Sequence, residues 1–516
     1  MTTCVFGLEA ELAVSALRQG KSVSVHDTVY GLAEIAVRTL PHLPGGGSRM
    51  FLGNGSLLYV DCGDHPEVAT PECSTPGEAL CHLRAGERLV GQLAARLRAE
   101  SGLDQVSVSR CNVDYVTGAT WGCHESYLGI RPVLAYREWL IPHLVSRTVY
   151  TGSGGLDPRT PGIRFSLSPR TAHFERAVSS ESTSTRGIFH TRDEPLSNAG
   201  YSRVHVLAGD NACSHRATWL KIGTTALIVA AADLPRRPFG RLTLAAPLKA
   251  LMGFARGAGY CAEVTMADGQ VRLMSALEMQ RHYLEGIEAV ANSPGMPEWA
   301  GTVCNVWRET LDLLSAGPDR CVRHFDWAIK RELFLRELER HGLGWDTATV
   351  WSVVLEKIGR EFREALNHPH FIQNENIERI RSSGADGAQA IHKLGRLLAP
   401  HGLAWPRLDE FTALRRRLCE IDVRFGEVND GIFATLDGQG LLPEHRIVAE
   451  SDIAAAADHA PPATRASVRA RCVKELDARR NNYRCGWEGI AGPGTLLDLS
   501  DPFATEATWR ETVEQL

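Results

Sequence analysis

Two short apolar segments near the start of this chain each carry a pair of oxygen-bearing side chains two residues apart, and no other feature restricts the fold as tightly. In residues 5–12, VFGLEAEL, the pair is Glu9 and Glu11; in residues 57–61, LLYVD, it is Tyr59 and Asp61. Side chains alternate across a β-strand, so Glu9 and Glu11 share one face of the first segment. Leu57, Tyr59 and Asp61 likewise share a face of the second, with Leu58 and Val60 on the other. Gly53, Asn54 and Gly55 mark a turn before the second strand; Gly63, His65 and Pro66 end it, ahead of Glu67, Thr70 and Glu72. For any single glutamate the ordinary expectation is a solvated sheet face. Like charges displayed together are costly without cations, and oxygen donors are what hard cations select. The pattern therefore predicts a sheet surface gathering Glu9, Glu11, Tyr59, Asp61, Glu67 and Glu72 around metal ions. Asp61 gains a second role there, because a carboxylate beside bound metal serves as general base toward an amine or water.

The rest of the chain predicts an α+β architecture. Apolar residues at helical spacing, with Pro76 near the start and Gly102 beyond the end, predict an amphipathic helix over 76–101. Residues 106–112, 163–167 and 204–208 read as strands, and the polar run 179–186 (SSESTSTR) as a loop. His124 and Glu125, adjacent after a Gly-rich turn, read either as a ligand pair or as a capped helix start. From Trp219 onward the pattern is helical, over 219–233, 276–291, 298–316 and 326–341, and 345–417 is helical and charged. Residues 426–440 (GEVNDGIFATLDGQG) read as a linker, and a basic helix follows Pro461 and Pro462. Strands with some helices, then mostly helices, predict an antiparallel or mixed sheet.

Several functions are disfavoured. A net charge of -5 does not suit nucleic-acid binding as the main task, and no apolar run reaches the roughly 20 residues that span a bilayer. The opening MTTCVFGLEAEL lacks a charged leader region and does not read as a signal peptide. Thirteen cysteines with no CxxC pair predict reduced thiols and a cytoplasmic protein. The chain has no GxxxxGK[ST], GxGxxG or HExxH motif, and the TGSGG of 151–155 is not followed by lysine. Nucleotide phosphates, if bound, must then be held through metal-bound carboxylates. Arg192, Asp193 and Glu194, with Arg203 and His205, form a charged group that reads as a clamp on phosphate or carboxylate or as an ion-pair network. His368 and His370, split by Pro369, read as loop residues, and Trp487 either stacks on a base or packs a small core.

The segments GLEAEL, NGSLLYVDCGDHPEVATPEC, NVDYVTGATWGCHESYL, FSLSPRTAHF, FHTRDEPLSNAGYSRVHVLAGDNA and WLKIGTTALI resemble, in order and spacing, the family of the Pup ligase and the Pup deamidase/depupylase. FDWAIKRELF, VNDGIFATLDGQGLL, PPATRASVRA and SDPF extend the resemblance over nearly the whole chain. It implies a glutamine synthetase-like fold: a large domain, here 1–435, whose curved antiparallel sheet is packed with helices and cradles ATP and Mg2+, then a small C-terminal domain, 436–516. Residues within about 345–413 look like a helical insertion. By the same resemblance Glu9, Tyr59 and Glu67 are magnesium ligands, joined on the strand-face reading by Glu11. Asp61 is the catalytic base, Thr70 a nucleotide contact and Trp487 the residue packing against the nucleotide; Arg203 and His205 are further nucleotide contacts from the charged group. The implied activity is an ATP-dependent ligase joining a glutamate-type carboxylate, on a Pup-like small protein or a small molecule, to an amine through an acyl phosphate. The deamidase branch resembles a chain with a long loop between the ExE strand and the NG turn. Only residues 13–53 lie there in this chain, which favours the ligase over an amide hydrolase. Two departures stand out: Leu57 where the family carries an ATP-contacting arginine, and Ser202-Arg203 in place of paired arginines. Leu57 is the feature that favours a non-catalytic nucleotide-binding homologue.

Overall fold

The computed structural model describes residues 4–507 apart from 62, 161, 183, 199 and 258 and, within 354–404, all but 356, 392, 396 and 399. Most of the expected insertion over 345–413, with His368 and His370, lies outside the described residues.

The two acid-bearing segments fold as strands of one sheet. It comprises β1 (Phe6–Glu11), β2 (His42–Pro44), β3 (Met50–Leu52), β4 (Leu57–Val60), β5 (Pro66–Ala69), β6 (Cys123–Gly129) and β7 (Ser202–Val206), in the spatial order β7-β6-β1-β5-β4-β3-β2. Every neighbouring pair is antiparallel. Register sets which side chains meet. Glu11 pairs with Glu67 and Glu67 with Tyr59, making one row across β1, β5 and β4. The next row runs Phe51, Leu57, Ala69, Glu9, His124, and a third carries Gly7, Ser126 and His205.

Helices cover the other face. α1 (Val25–Thr39) and α2 (Pro76–Ser101) pack against Leu12, Leu58 and Val68. α2 follows the expectation closely: Thr75 and Glu78 form a capping box, Pro76 opens the helix, and Gly102 closes it with φ 66°. Gly86 brings α2 onto β5, since a Cβ there would lie 2.3 Å from Val68 Cγ1. Farther along, α3 (His215–Asp233) and the helix Arg137–Ser146 bury Leu8, Ala10, Tyr127, Val204 and Val206 in the largest core.

The first face is divided. Its β2–β5 end carries Leu43, Phe51, Leu57 and Ala69, packed against Val468, Cys472 and Val473 of α4 (Ala466–Leu476) and Ile490 and Leu497 of a small sheet, Arg484–Cys485, Gly489–Gly492 and Thr495–Asp498. Leu57, 4% exposed, is part of that apolar junction. Residues 426–440 are not an open linker: Ile432–Gly438 is helical, and Phe433 is buried against Phe425, rings 5.6 Å apart. All twelve described cysteines are unpaired, and among the described residues no helix is long and apolar enough to cross a membrane.

Candidate active site

Strand alternation places Glu9, Glu11, Tyr59 and Glu67 on the face left open beside the C-terminal segment, with Asp61 one residue past β4. Asp61 opens a tight turn in which its N–H donates to the His65 carbonyl at 2.9 Å. Ligand atoms of Glu11, Asp61 and His65 lie within 4.8 Å of one another, and so do those of Glu9, His124 and His205. Glu67, 3% exposed, sits under these groups. Burial first, then the charges of Glu9 and Glu11, push its carboxyl well above the usual range. Burial followed by Glu9 and Glu67 raises the Tyr59 phenol in the same way. Crowded oxygen donors that repel one another are the donor set a hard dication relieves, so these residues fit magnesium.

Around the acids stand bases that burial keeps neutral. His124 and His205 are held well below the ordinary imidazole value, by burial first and then by Arg170 and Arg203 respectively. Arg203 donates from Nη2 to Glu9 Oε1 at 2.8 Å and from Nε to Ser126 Oγ at 3.0 Å. His205 Nε2 lies 3.8 Å from Glu9 Oε2. The Gly122 N–H donates to Glu11 Oε2 at 2.6 Å. Arg170, buried, approaches His124 Nε2 at 3.3 Å.

An open cleft continues from this face. Glu9, Ser126 and Arg203 line its floor, Thr70 and Pro71 one side, Leu196, Arg465 and Trp487 another. Thr70 Oγ1 accepts from the Leu8 N–H at 3.0 Å, fixing the edge of β1 against β5. Trp487 packs edge-on to Phe51, ring centroids 5.2 Å apart, and leaves part of its surface on the cleft.

Two expectations are corrected. Glu72 does not join the cation-facing acids, because Arg465 Nε donates to it at 2.7 Å and Arg469 closes on its other oxygen. His124 and Glu125 are neither a ligand pair nor a helix cap. They are successive residues of β6 and point to opposite faces, Glu125 into the core, where Arg147 donates to it at 2.7 and 2.5 Å. Arg192 of the charged group is exposed and pairs with Glu194 at 2.7 Å. His65 and Ser126 join that face without a motif that singles them out; the alternation in CHESYLG carries the signal for Ser126 and sets His124 beside it.

Residues 8–358 and 404–491 match the family model described as Pup-ligase protein. The chain is 29% identical to the Pup–protein ligase of Acidimicrobium ferrooxidans over 97% of this chain and 96% of that one. It is 30% identical to the Pup–protein ligase of Micrococcus luteus, over 98% and 96%. A Pup deamidase/depupylase of Mycolicibacterium smegmatis is 37% identical over 60% of this chain and 62% of its own. Among solved structures, the ligase PafA in complex with the prokaryotic ubiquitin-like protein Pup aligns with a TM-score of 0.75 at 24% identity, covering 100% of this chain and 92% of that one. PafA in complex with ADP aligns at 0.68 and 24% identity, covering 93% and 91%.

Proposed function

We infer the function from one premise: this chain belongs to the Pup-ligase protein family. We propose that it is an ATP-dependent carboxylate–amine ligase that forms an isopeptide bond between the terminal glutamate-type carboxylate of a Pup-like protein and a lysine amine. The observation that carries the reading is the row Glu11–Glu67–Tyr59, with Glu9 beside it and Asp61 at its end, opening onto a cleft walled by Thr70 and Trp487.

In this reading the cleft takes ATP with the base toward Trp487 and the phosphates toward Glu9, where Arg203 and His205 supply donors. Mg2+ would be held by Glu9, Glu11, Tyr59 and Glu67, and when bound it neutralises charge passing between phosphate and carboxylate. The carboxylate takes the γ-phosphoryl group, which makes it an acyl phosphate with phosphate as leaving group. Asp61, next to Glu11 and His65, accepts the proton of the attacking amine, and the carbonyl carbon keeps the new C–N bond as phosphate departs. Leu57 contributes apolar packing under the C-terminal junction instead of a charge, so positive charge at the nucleotide comes from Arg203 on β7, the far edge of the sheet. Residues 436–516 act as the small domain that closes the cleft. The unpaired thiols support a cytoplasmic location.

The test is nucleotide turnover, read by chromatography, with Mg2+, a Pup-type protein ending in glutamate and an amine acceptor. ADP and phosphate should accumulate only when carboxylate and amine are both present. Asp61→Asn should lower turnover by roughly 10²–10⁴-fold with ADP binding retained. ATP that survives every addition, or amide cleavage without ATP consumption, overturns the ligase reading.

A further inference from the structure

One carboxylate and two guanidiniums tie the Pro71 side of the cleft to the side made by Leu196 and Trp487. Glu72 leaves the sheet just after Thr70 and Pro71 and is mostly buried, its side chain 11% exposed. Arg465 donates to Glu72 Oε1 at 2.7 Å, to the Leu196 carbonyl at 2.7 Å and to the Leu499 carbonyl at 2.8 Å. Thr464 Oγ1 donates to the Glu72 carbonyl at 2.7 Å. Arg469, fully buried on α4, grips Glu72 from the other side and donates to the Trp487 carbonyl at 3.4 Å. Its guanidinium carbon lies 4.7 Å from the Trp487 ring centroid and 5.6 Å from that of Phe51. Pro71, Leu196, Arg465 and Trp487, which these contacts hold in place, are among the residues that enclose the cleft.

Desolvating three charges is an expensive way to attach a helix, since apolar packing of similar volume does it as well or better. What a charged cluster adds is a fixed geometry. Arg469 can sit against the indole face only while Glu72 holds its other side, so the ring's position depends on a residue of the large sheet. Although burial opposes ionisation of Glu72, the two arginines hold its carboxyl down at about 2, and the cluster stays charged at working pH.

We propose that Glu72 and Arg469 are positioning residues for nucleotide: by seating Trp487 they couple docking of α4 and the C-terminal sheet to occupancy of the cleft. The proposal rests on the nucleotide reading of that cleft. Because binding linkage is reciprocal, nucleotide tightens the C-terminal segment by the same factor that the segment tightens nucleotide.

The test uses the full chain with Mg-ADP as probe. Wild type should bind ADP, followed by Trp487-dependent fluorescence and by calorimetry. Arg469→Met should keep its far-UV circular dichroism, bind ADP about tenfold more weakly and keep kcat at saturating ATP within about threefold of wild type. Arg469→Lys, which keeps the charge and loses the planar fork, should fall between. An Arg469→Met protein that folds and binds ADP as wild type does overturns the proposal, and so does a fall in kcat with ADP affinity unchanged. If Arg469→Met does not fold, hydrogen exchange in wild type decides: amides of 464–476 and 484–498 should slow when ADP is added, and unchanged exchange in a protein that binds ADP overturns the coupling. Wild type that binds no ADP instead overturns the nucleotide reading itself.

Discussion

Replacing Arg147 by methionine tests how the site's sheet is supported from behind. Glu125 stands next to His124 on β6 but faces the core, 0% exposed, and Arg147, 1% exposed, meets it with two hydrogen bonds of 2.7 and 2.5 Å. Arg147 also donates to the Lys221 carbonyl at 3.0 Å, and Tyr127 donates to Glu125 at 2.5 Å. In Arg147→Met the carboxylate keeps only the tyrosine among these partners. Removing one member of a buried pair costs about 3–5 kcal/mol. A second route gives a similar figure. The stranded acid escapes by taking up a proton, and for an ordinary glutamic acid near 4.3 that costs ~3.7 kcal/mol at pH 7. The sign of the pH dependence follows. A carboxyl that binds its proton more tightly when folded loses stability as pH rises, so the penalty grows by about 1.4 kcal/mol per unit between pH 5 and pH 7. Denaturant unfolding followed by tryptophan fluorescence at pH 5, 6 and 7 reads this directly. Adding Glu125→Gln should remove the slope and recover much of the loss. A penalty below about 1 kcal/mol, or one that does not change with pH, refutes the reasoning.

Three further outcomes are expected. Glu67→Gln removes the most buried of the oxygen donors, and Mn2+ titration watched by electron paramagnetic resonance should show affinity lower by about tenfold or more. Trp487→Ala should weaken ADP by roughly 5–150-fold in calorimetry, the value of an aromatic stacked on a base, ~1–3 kcal/mol. Glu72, held at about 2 against an ordinary 4.5, contributes stability that is fully present above pH 4.5 and lost as pH falls toward 2. Comparing acid unfolding of wild type with Glu72→Gln should show a difference of about 3 kcal/mol at pH 6 that has largely vanished near pH 2.

What the sequence disclosed, it disclosed through local periodicity. Helix 76–101 was legible because its caps and its apolar spacing agree, and the strand faces at Glu9–Glu11 and Tyr59–Asp61 were legible because alternation is a property of two or three neighbours. The fates of Glu72 and Glu125 were not. Each looks like its site neighbours in sequence, and what distinguishes it is an arginine that arrives from elsewhere, Arg469 from 397 residues away and Arg147 from the turn that ends the helix Arg137–Ser146. The 426–440 segment misled for a related reason: Gly and Asp dominate its composition, while one phenylalanine, Phe433, fixes it against Phe425. His65 reads in sequence only as a strand-ending residue because a turn carries no period, yet the turn aims it at Asp61 and Glu11.

β1, an interior strand of the sheet, is made from the first dozen residues, while the last wall of the cleft is made by Arg465, Trp487 and Pro502. On the ribosome this order matters. β1 must wait for β5 and then β6 before it has neighbours on both sides, and Leu43, Phe51 and Leu57 stay uncovered until α4 emerges more than 400 residues later. A nascent or truncated chain therefore exposes an apolar strip next to a row of unneutralised acids, a surface on which chaperones hold an advantage over self-association. If the cleft takes nucleotide as proposed, affinity for it waits until Arg465 and Trp487 have been made.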